Sequence, residues 1–171
     1  KLHVTVGRER AKLAIGIHDL DRVTPPFTFR AVDPEGIRFV PLAMDEPLSP
    51  REVLERSPKG REHAHLVDGM GRFPVIVDAE GEVLSLPPIT NGALTAVTAD
   101  TRNLFIDVTG SDAKAVEGVV NIVATSLAER GGRICRVEIE GAPKSSYPNL
   151  EPTERRVSLG ACGRFIGREL T

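Results

Sequence analysis

The stretch LFIDVTGSD, residues 104–112, decides the fold, because an apolar strand pattern changes here into the start of a helix. In a strand, alternate side chains share a face, so Asp107 and Thr109 are expected to lie side by side. The strand ends at a glycine, and Ser111 or Asp112 can cap the helix that follows. The sequence therefore predicts a carboxylate and a hydroxyl together at the carboxyl end of a strand.

A long helix is predicted next, from the sequence SDAKAVEGVVNIVATSLAERGG. Its apolar residues recur at helical spacing, and Gly131 marks its C-terminal stop. The apolar stripe consists of Val116, Val119, Val120, Val123 and Leu127. The segment RICRVEIEG that follows has the character of a strand. We therefore expect a strand-helix-strand unit around residues 104–112, with the helix packed on the sheet.

Further short strands are predicted upstream, each flanked by Pro, Gly or Asp signals. They span residues 13–17, 27–32, 36–40, 73–77 and 82–86. The turn Ala79-Glu80-Gly81 indicates a hairpin, so the sheet content is expected to be mostly antiparallel or mixed. A second helix is predicted from SPREVLERSP, where Ser49 and Glu52 form a capping box and Pro58 blocks extension.

The size and composition favour a globular protein. The chain has 171 residues, of which 40% are hydrophobic and 27% charged, which is ordinary for a globular domain. Residues 1–141 are expected to form one compact domain. The segment rich in Pro, Ser and Glu at residues 142–153 is predicted to be a linker, and residues 154–171 the truncated start of a next module. The absence of an initial Met fits a piece of a longer polypeptide.

Several classes of function are disfavoured by the sequence. The net charge of −2 argues against a segment that grips a nucleic-acid backbone unaided. No apolar run approaches the roughly 18 residues that a membrane span needs, and the polar N-terminus is unlike a signal peptide, so no membrane partner and a cytoplasmic location are expected. The two cysteines lack CxxC spacing, which indicates inert thiols. Phosphate loops of the common types and GxSxG are absent.

Three groups of residues remain as candidates for chemistry. Asp107 and Thr109 either bind a ligand or only help to cap the following helix, although Ser111 and Asp112 already serve that cap. Ser85 interrupts an apolar strand before Pro87-Pro88, and it is either a site residue or one inward serine on an edge strand. His63 and His65 in REHAHLV lack a third ligand nearby, so no metal site is expected there.

Six stretches together resemble the β subunit of phenylalanyl-tRNA synthetase in its archaeal and eukaryotic cytosolic form. They are AIGIHDLD (14–21), FVPL (39–42), SPREVLERSPKGREHAHLV (49–67), FPVIVDAEGEVLSLPPI (73–89), TRNLFIDVTGSD (101–112) and ERGGRICRVEI (129–139). His63 stands where that family is expected to have tyrosine.

The resemblance implies an editing domain with an α+β fold. The expected architecture is a three-layer module with a mixed, sandwich-like β-sheet and packed helices, of the PheT/TilS-like type. The implied activity is hydrolysis of mischarged tyrosyl-tRNA(Phe), within an enzyme that aminoacylates tRNA(Phe) as a class II ligase. A pocket for phenylalanine rejects tyrosine, which differs by one hydroxyl, by only about 10²-fold. A second site that hydrolyses the tyrosyl product is therefore useful. The alternative is a catalytically silent structural or tRNA-positioning module of the same subunit.

The resemblance also implies site residues, partners and cofactors. Ile76, Ser85, Asp107 and Thr109 fall on the family's editing pocket, with Ile76 as an apolar wall and His65 as a candidate neighbour. Asp107 is expected to bind the tyrosine hydroxyl or its α-ammonium, with Ser85 and Thr109 orienting the ester and a water. The partners are the tRNA(Phe) acceptor end carrying tyrosine and an α subunit, in a heterotetramer. No cofactor or metal is expected in this segment, while the full enzyme would use ATP and magnesium.

Overall fold

The computed structural model describes residues 1–141 and 146–169. Its strands are β1 (Leu13–Asp19), β2 (Thr28–Val32), β3 (Phe73–Val77), β4 (Val83–Leu86), β5 (Thr90–Asn91), β6 (Leu104–Gly110), β7 (Val137–Glu138) and β8 (Ser146–Tyr147). Its helices are α1 (Pro50–Arg56), α2 (Pro58–His63), α3 (Ala113–Ala128) and α4 (Leu159–Ile166), with short 3₁₀ turns at Leu20–Arg22, Ala64–Leu66 and Ala93–Thr95. The predicted α+β class is confirmed, and every strand pair in the described ranges is antiparallel.

A four-stranded sheet in the order β2-β3-β4-β5 forms the larger part of the fold. Its register places Ile76 opposite Ser85, and Ser85 opposite Asn91. The predicted hairpin between β3 and β4 is confirmed, and Gly81 takes a left-handed φ of 91° in its turn, a conformation that favours glycine. The sheet therefore carries Ser85 on a central strand and not on an edge.

A two-stranded sheet pairs β1 with β6. Gly16 lies opposite Asp107, and Ala14 opposite Thr109. Because alternate residues share a face, both polar side chains of β6 point to the same side, as the alternation predicts. This side faces β4 and β5, so the two sheets supply opposite walls of one cleft.

The core lies on the other face of the large sheet, beneath α1 and α2. Its buried apolar members are Val32, Phe39, Leu48, Val53, Val67, Phe73, Val75, Val77, Val83, Leu86 and Ile89. The predicted capping box at the start of α1 is present, since Ser49 Oγ accepts from the Glu52 N–H and the Glu52 carboxylate accepts from the Ser49 N–H. Pro58 ends α1 as expected, but it also begins α2, which was not predicted. The dipeptide Ser57-Pro58 repeats Ser49-Pro50, and this was the signal for the second helix.

The long helix α3 is capped by Asp112, whose Oδ1 accepts from the Ala115 N–H at 2.9 Å. It packs against β6, as predicted. Of the predicted apolar stripe only Val119 is fully buried, and Ile122 on another face is 48% exposed. The helix is therefore anchored mainly by Val119 and Ala124, its two buried residues.

One predicted strand is wrong, and a second is shorter than predicted and pairs elsewhere. Residues 36–40 form only a single bridge, between Phe39 and Leu48, because Pro41 and Pro47 lack the N–H groups that would extend a ladder. The segment RICRVEIEG contributes only β7, which pairs with β8 and not with the sheet that holds β6. Its apolar residues alternate with Arg and Glu, so its apolar face is weak, and both residues of β7 are exposed.

The segment that follows β8 contacts α3 through Asn149. Asn121 Nδ2 donates to the carbonyl of Asn149 at 2.6 Å, and Asn149 Nδ2 donates to Glu117 at 3.1 Å. The first four residues of the predicted linker, 142–145, lie outside the described residues, as do the last two of the predicted next module. The domain boundaries stay predictions. None of the helices in the described part is long and apolar enough to cross a membrane.

Asp78 is expected to stabilise the β3-β4 hairpin. Its carboxylate accepts from the N–H groups of Thr24, Glu80 and Glu82 at 2.9–3.0 Å. Burial alone would raise the pKa of Asp78, but the hydrogen bonds from these backbone groups outweigh burial and lower it. A lowered pKa in the folded state means that the stabilisation is present above pH about 4 and is lost as the pH falls through the folded value.

Asp78→Ala is expected to lower the free energy of unfolding at pH 7 by about 2 kcal/mol, since charged acceptors contribute more than neutral ones. Urea unfolding at pH 7 and at lower pH would measure this, and the difference between variant and wild type should shrink on acidification. Asp78→Asn is the control, because it keeps one acceptor but cannot titrate. An equal loss at every pH would contradict the role given to the charge.

Candidate functional site

The candidate site is a narrow cleft between the two sheets, lined by polar residues of both. The β1-β6 pair supplies Gly16, Asp107 and Thr109, and the β4-β5 region supplies Ser85 and Asn91. Arg10 closes one side from the N-terminal segment.

Asp107 is held in the cleft by a buried histidine. His18 Nε2 lies 2.8 Å from Asp107 Oδ2, and His18 Nδ1 lies 2.7 Å from Thr95 Oγ1. His18 is fully buried, and only 9% of Asp107 is exposed. His18 engages Oδ2 of this carboxylate. The other oxygen, Oδ1, has no hydrogen-bond partner in the described part of the chain, so it can accept a hydrogen bond from a ligand.

Gly16 makes room for this carboxylate. A Cβ at Gly16 would lie 1.9 Å from Asp107 Oδ2 and 2.7 Å from His18 Nε2. Such distances are far below van der Waals contact, so no larger residue fits while Asp107 and His18 keep their places. A glycine inside a strand is the ordinary mark of a close approach of this kind.

Ser85 is the most deeply buried polar group of the cleft. The residue is 3% exposed, and its hydroxyl has no hydrogen-bond partner among residues 1–141 and 146–169. Leaving a buried hydroxyl unpaired costs about 1–3 kcal/mol. A hydroxyl left unpaired in the wall of a cleft is free to bind a ligand or a water molecule.

The other predicted site residues are placed differently. Thr109 lines the cleft and is half-buried, closer to solvent than Asp107. Ile76 is buried opposite Ser85 in the β3-β4 pair but does not line the cleft. His65 is exposed at the end of α2 and does not reach it, while His63 is buried beside Glu62. The structure thus brings Asp107, Thr109 and Ser85 together and leaves His65 apart.

The N-terminal segment supplies a cation and a tether. Arg10 Nη1 donates to the carbonyls of Pro88 and Ile89 at 3.0 and 2.7 Å. Burial lowers the pKa of the Arg10 guanidinium, and the charge of Glu62 partly offsets this. His3 Nε2 accepts from the Ile15 N–H at 2.8 Å, and burial, with the nearby charge of Arg10, lowers the pKa of His3. A neutral His3 thus fixes the segment on β1.

Sequence reasoning missed five residues of this site and its support. They are Arg10, Gly16, His18, Asn91 and Thr95. Two of them could have been noticed in the sequence. Gly16 interrupts the apolar strand LAIGI, and His18 interrupts its continuation. The other three come from loops or from a two-residue strand, and only the tertiary fold brings them to the cleft. No group of three or more His, Cys, Asp or Glu side chains in the described ranges is arranged to hold a metal ion.

Comparison with known proteins places the whole segment in one family. Residues 3–131 match the profile of the B3/4 domain. The chain belongs to the B3/4 domain family. This B3/4 domain is 50% identical over 173 residues to the phenylalanine–tRNA ligase β subunit of Methanocaldococcus jannaschii, covering 100% of the chain and 31% of that relative. The corresponding subunit of Methanothrix thermoacetophila is 51% identical and is covered to 32% of its length. The predicted resemblance is confirmed.

A solved structure shows the same fold. An N-terminal fragment of the phenylalanyl-tRNA synthetase β subunit from Pyrococcus horikoshii matches 99% of the B3/4 domain chain with a TM-score of 0.92 and 40% identity, and 49% of that fragment is covered. The chain spans about a third of the length of the curated relatives it matches. The activity, substrates and partners of the longer proteins are therefore matters for proposal.

Proposed function

We propose that the cleft hydrolyses the ester of tyrosine mischarged on tRNA(Phe), as the editing site of a phenylalanine–tRNA ligase β subunit. The observation that carries this proposal is the hydroxyl of Ser85, which is buried without a protein partner in the described residues and lies in the same cleft as the free oxygen of Asp107. Two polar groups at the floor of a narrow cleft suit a small ligand that ends in a hydroxyl.

We infer the direction of the substrate from the burial of the polar groups in the cleft. The aminoacyl ester is joined to a tRNA that is far too large to enter, so the ester must stay near the open end. The tip of the side chain then reaches the floor, where Ser85 is 3% and Asp107 9% exposed. The phenol of tyrosine donates to Asp107 Oδ1 and accepts from Ser85 Oγ, so of the two alternatives for Asp107, hydroxyl binding is preferred over binding of the α-ammonium.

Phenylalanine is refused by the same arrangement. Its ring would bury both polar groups without partners, and a site built to bind a substrate hydroxyl rejects the analogue that lacks it by a large factor, about 10⁴-fold in favourable cases. Discrimination by loss of a hydrogen bond is stronger than discrimination by size. An editing site requires this preference, because it must hydrolyse the tyrosyl ester and spare the phenylalanyl ester.

Hydrolysis proceeds by a positioned water. The water attacks the ester carbonyl carbon, the bond to the ribose oxygen breaks, and a proton reaches that oxygen, which releases tyrosine and uncharged tRNA. Thr109, half-buried and nearer the open end, orients the ester and this water. Ser85 has no histidine or carboxylate within hydrogen-bond distance in the described ranges, so it is not activated as a nucleophile and no covalent intermediate forms.

The longer protein supplies what this segment lacks. We propose that the remainder of the subunit and an α subunit, in a cytoplasmic heterotetramer, hold tRNA(Phe) and use ATP and magnesium for aminoacylation at a separate class II site. The net charge of −2 fits a domain that receives only the charged terminus.

Ser85→Ala tests the proposal. It is expected to lower the ratio of tyrosyl-tRNA to phenylalanyl-tRNA deacylation rates by about 10-fold, the value of one hydrogen bond of roughly 1.4 kcal/mol. The free energy of unfolding should stay the same or rise, because an unsatisfied buried hydroxyl is removed. Deacylation assays of the full enzyme and thermal unfolding would measure both.

Ser57→Ala is the matched control. Ser57 is also a buried serine, but its hydroxyl donates to the Val53 carbonyl at 2.8 Å and accepts from the Gly60 N–H at 2.8 Å. This variant should lose stability and keep the rate ratio. Wild-type enzyme that deacylates both substrates equally well would overturn the proposed function.

A further inference from the structure

A buried hydrogen-bonded chain lies behind the cleft. It runs from Thr95 Oγ1 to His18 Nδ1 over 2.7 Å and from His18 Nε2 to Asp107 Oδ2 over 2.8 Å. Thr95 is 1% exposed, His18 0% and Asp107 9%. Only Asp107 lines the cleft, so a ligand in the cleft does not contact Thr95 or His18.

The partners of the His18 ring assign its hydrogen when the ring is neutral. An ionised Asp107 can only accept, so His18 Nε2 carries the hydrogen, and Nδ1 accepts from the Thr95 hydroxyl. Thr95 Oγ1 also lies 3.4 Å from the Gly92 carbonyl, which is a long contact beside the 2.7 Å to His18. The Thr95 hydroxyl therefore selects the tautomer that presents a donor to Asp107.

We propose that Thr95 and His18 are positioning residues that aim the Asp107 carboxylate at the floor of the cleft and so determine its selectivity for a ligand hydroxyl. This inference rests on the proposed function, since it concerns how Asp107 recognises the phenol. The donor from His18 engages Oδ2 and leaves Oδ1 without a hydrogen-bond partner in the described residues. Without it, Asp107 could rotate about χ1 and χ2 and bring either oxygen to the ligand in several geometries.

Packing around the carboxylate supports this assignment. Gly16 leaves no spare volume on one side, because an added Cβ would lie 1.9 Å from Oδ2. The ring centroids of Phe105 and His18 are 6.1 Å apart, and those of Phe27 and Phe105 are 4.4 Å apart, with the rings tilted in both pairs. The imidazole of His18 therefore has Phe105 as an aromatic neighbour and a hydrogen bond at each nitrogen. Positioning groups of this kind typically change activity by about 10- to 100-fold when removed.

Thr95→Val and Thr95→Ser form the matched pair for the test. Valine keeps the shape of threonine and removes the hydroxyl, whereas serine keeps the hydroxyl. In the full enzyme, Thr95→Val should lower the tyrosyl to phenylalanyl rate ratio by about 10-fold, chiefly through kcat/KM for the tyrosyl substrate. Thr95→Ser should restore most of the ratio. Nitrogen-15 chemical shifts of the His18 ring should show the loss of the single Nε2–H tautomer in Thr95→Val only.

The outcomes separate this inference from the proposed function. A Thr95→Val enzyme that folds and keeps the wild-type ratio, while Asp107→Ala loses it, would overturn the positioning role and leave the proposed function in place. If Asp107→Ala also keeps the ratio, the proposed function fails. If Thr95→Val does not fold, His18→Leu replaces it, because leucine removes the donor toward Asp107. A folded His18→Leu enzyme with a wild-type ratio would overturn the positioning role.

Discussion

Asp107→Ala is expected to lower the ratio of tyrosyl-tRNA to phenylalanyl-tRNA deacylation by about 100-fold or more. The carboxylate is the only charged acceptor on the floor of the cleft within the described ranges, and a hydrogen bond to a charged group contributes about 1.5–3 kcal/mol. Its removal also ends the penalty that phenylalanine suffers from burying an unpaired carboxylate. The tyrosyl rate should fall and the phenylalanyl rate should rise.

Asp107→Asn is the control for folding. The amide oxygen can still accept from His18 Nε2, so His18 is not left as an unpaired buried donor, whereas Asp107→Ala leaves it so and should be less stable by about 1–3 kcal/mol. Deacylation of both substrates and thermal unfolding would be measured for each variant in the full enzyme. An equal fall of both rates in Asp107→Ala would mean that Asp107 binds the α-ammonium, which the two substrates share.

Gly16→Ala is expected to reproduce most of the effect of Asp107→Ala without touching a polar group. The added Cβ would lie 1.9 Å from Asp107 Oδ2 and 2.7 Å from His18 Nε2, so the carboxylate must leave its position or the β1-β6 pair must open. Either change separates Asp107 from His18. We expect the rate ratio to fall by about 100-fold and stability to fall by about 1–3 kcal/mol, as for an overpacked core site.

Gly118→Ala is the matched control for this substitution. Gly118 lies within α3, and a Cβ there meets nothing within 4 Å. Alanine in a helix interior is favoured over glycine by roughly 1 kcal/mol, so this variant should be more stable with an unchanged rate ratio. A Gly16→Ala enzyme with wild-type selectivity would show that Asp107 does not need the position seen here.

Local signals predicted the elements that depend on near neighbours. The capping box of Ser49 and Glu52, the cap at Asp112 and the hairpin at Gly81 all involve atoms within a few residues, so the sequence carries the whole interaction. The predictions failed where pairing was distant. The strand predicted at 36–40 had the right composition, but the prolines that flank Val40 and Leu48 deny it a ladder.

The candidate site divides in the same way. Alternation along β6 predicted that Asp107 and Thr109 share a face, and the interruption of β4 drew attention to Ser85. Whether those faces meet depends on how two sheets stack, and no spacing along the chain encodes this. For the same reason the sequence did not single out His18. Its partners, Thr95 and Asp107, lie 77 and 89 residues away along the chain, and only the fold brings them to it.

By itself the sequence determined the α+β class, the family resemblance and the pair Asp107 and Thr109 on one strand. These follow from residue order, because turn chemistry, caps and alternation act over a few residues. Only the tertiary structure decided that Ser85 is buried without a partner in the described residues, that Gly16 clears space for a carboxylate, and that His18 and Thr95 form a hydrogen-bonded chain behind it. The physical reason is that desolvation and hydrogen-bond satisfaction belong to the packed arrangement, and distant segments create that environment only when they come together.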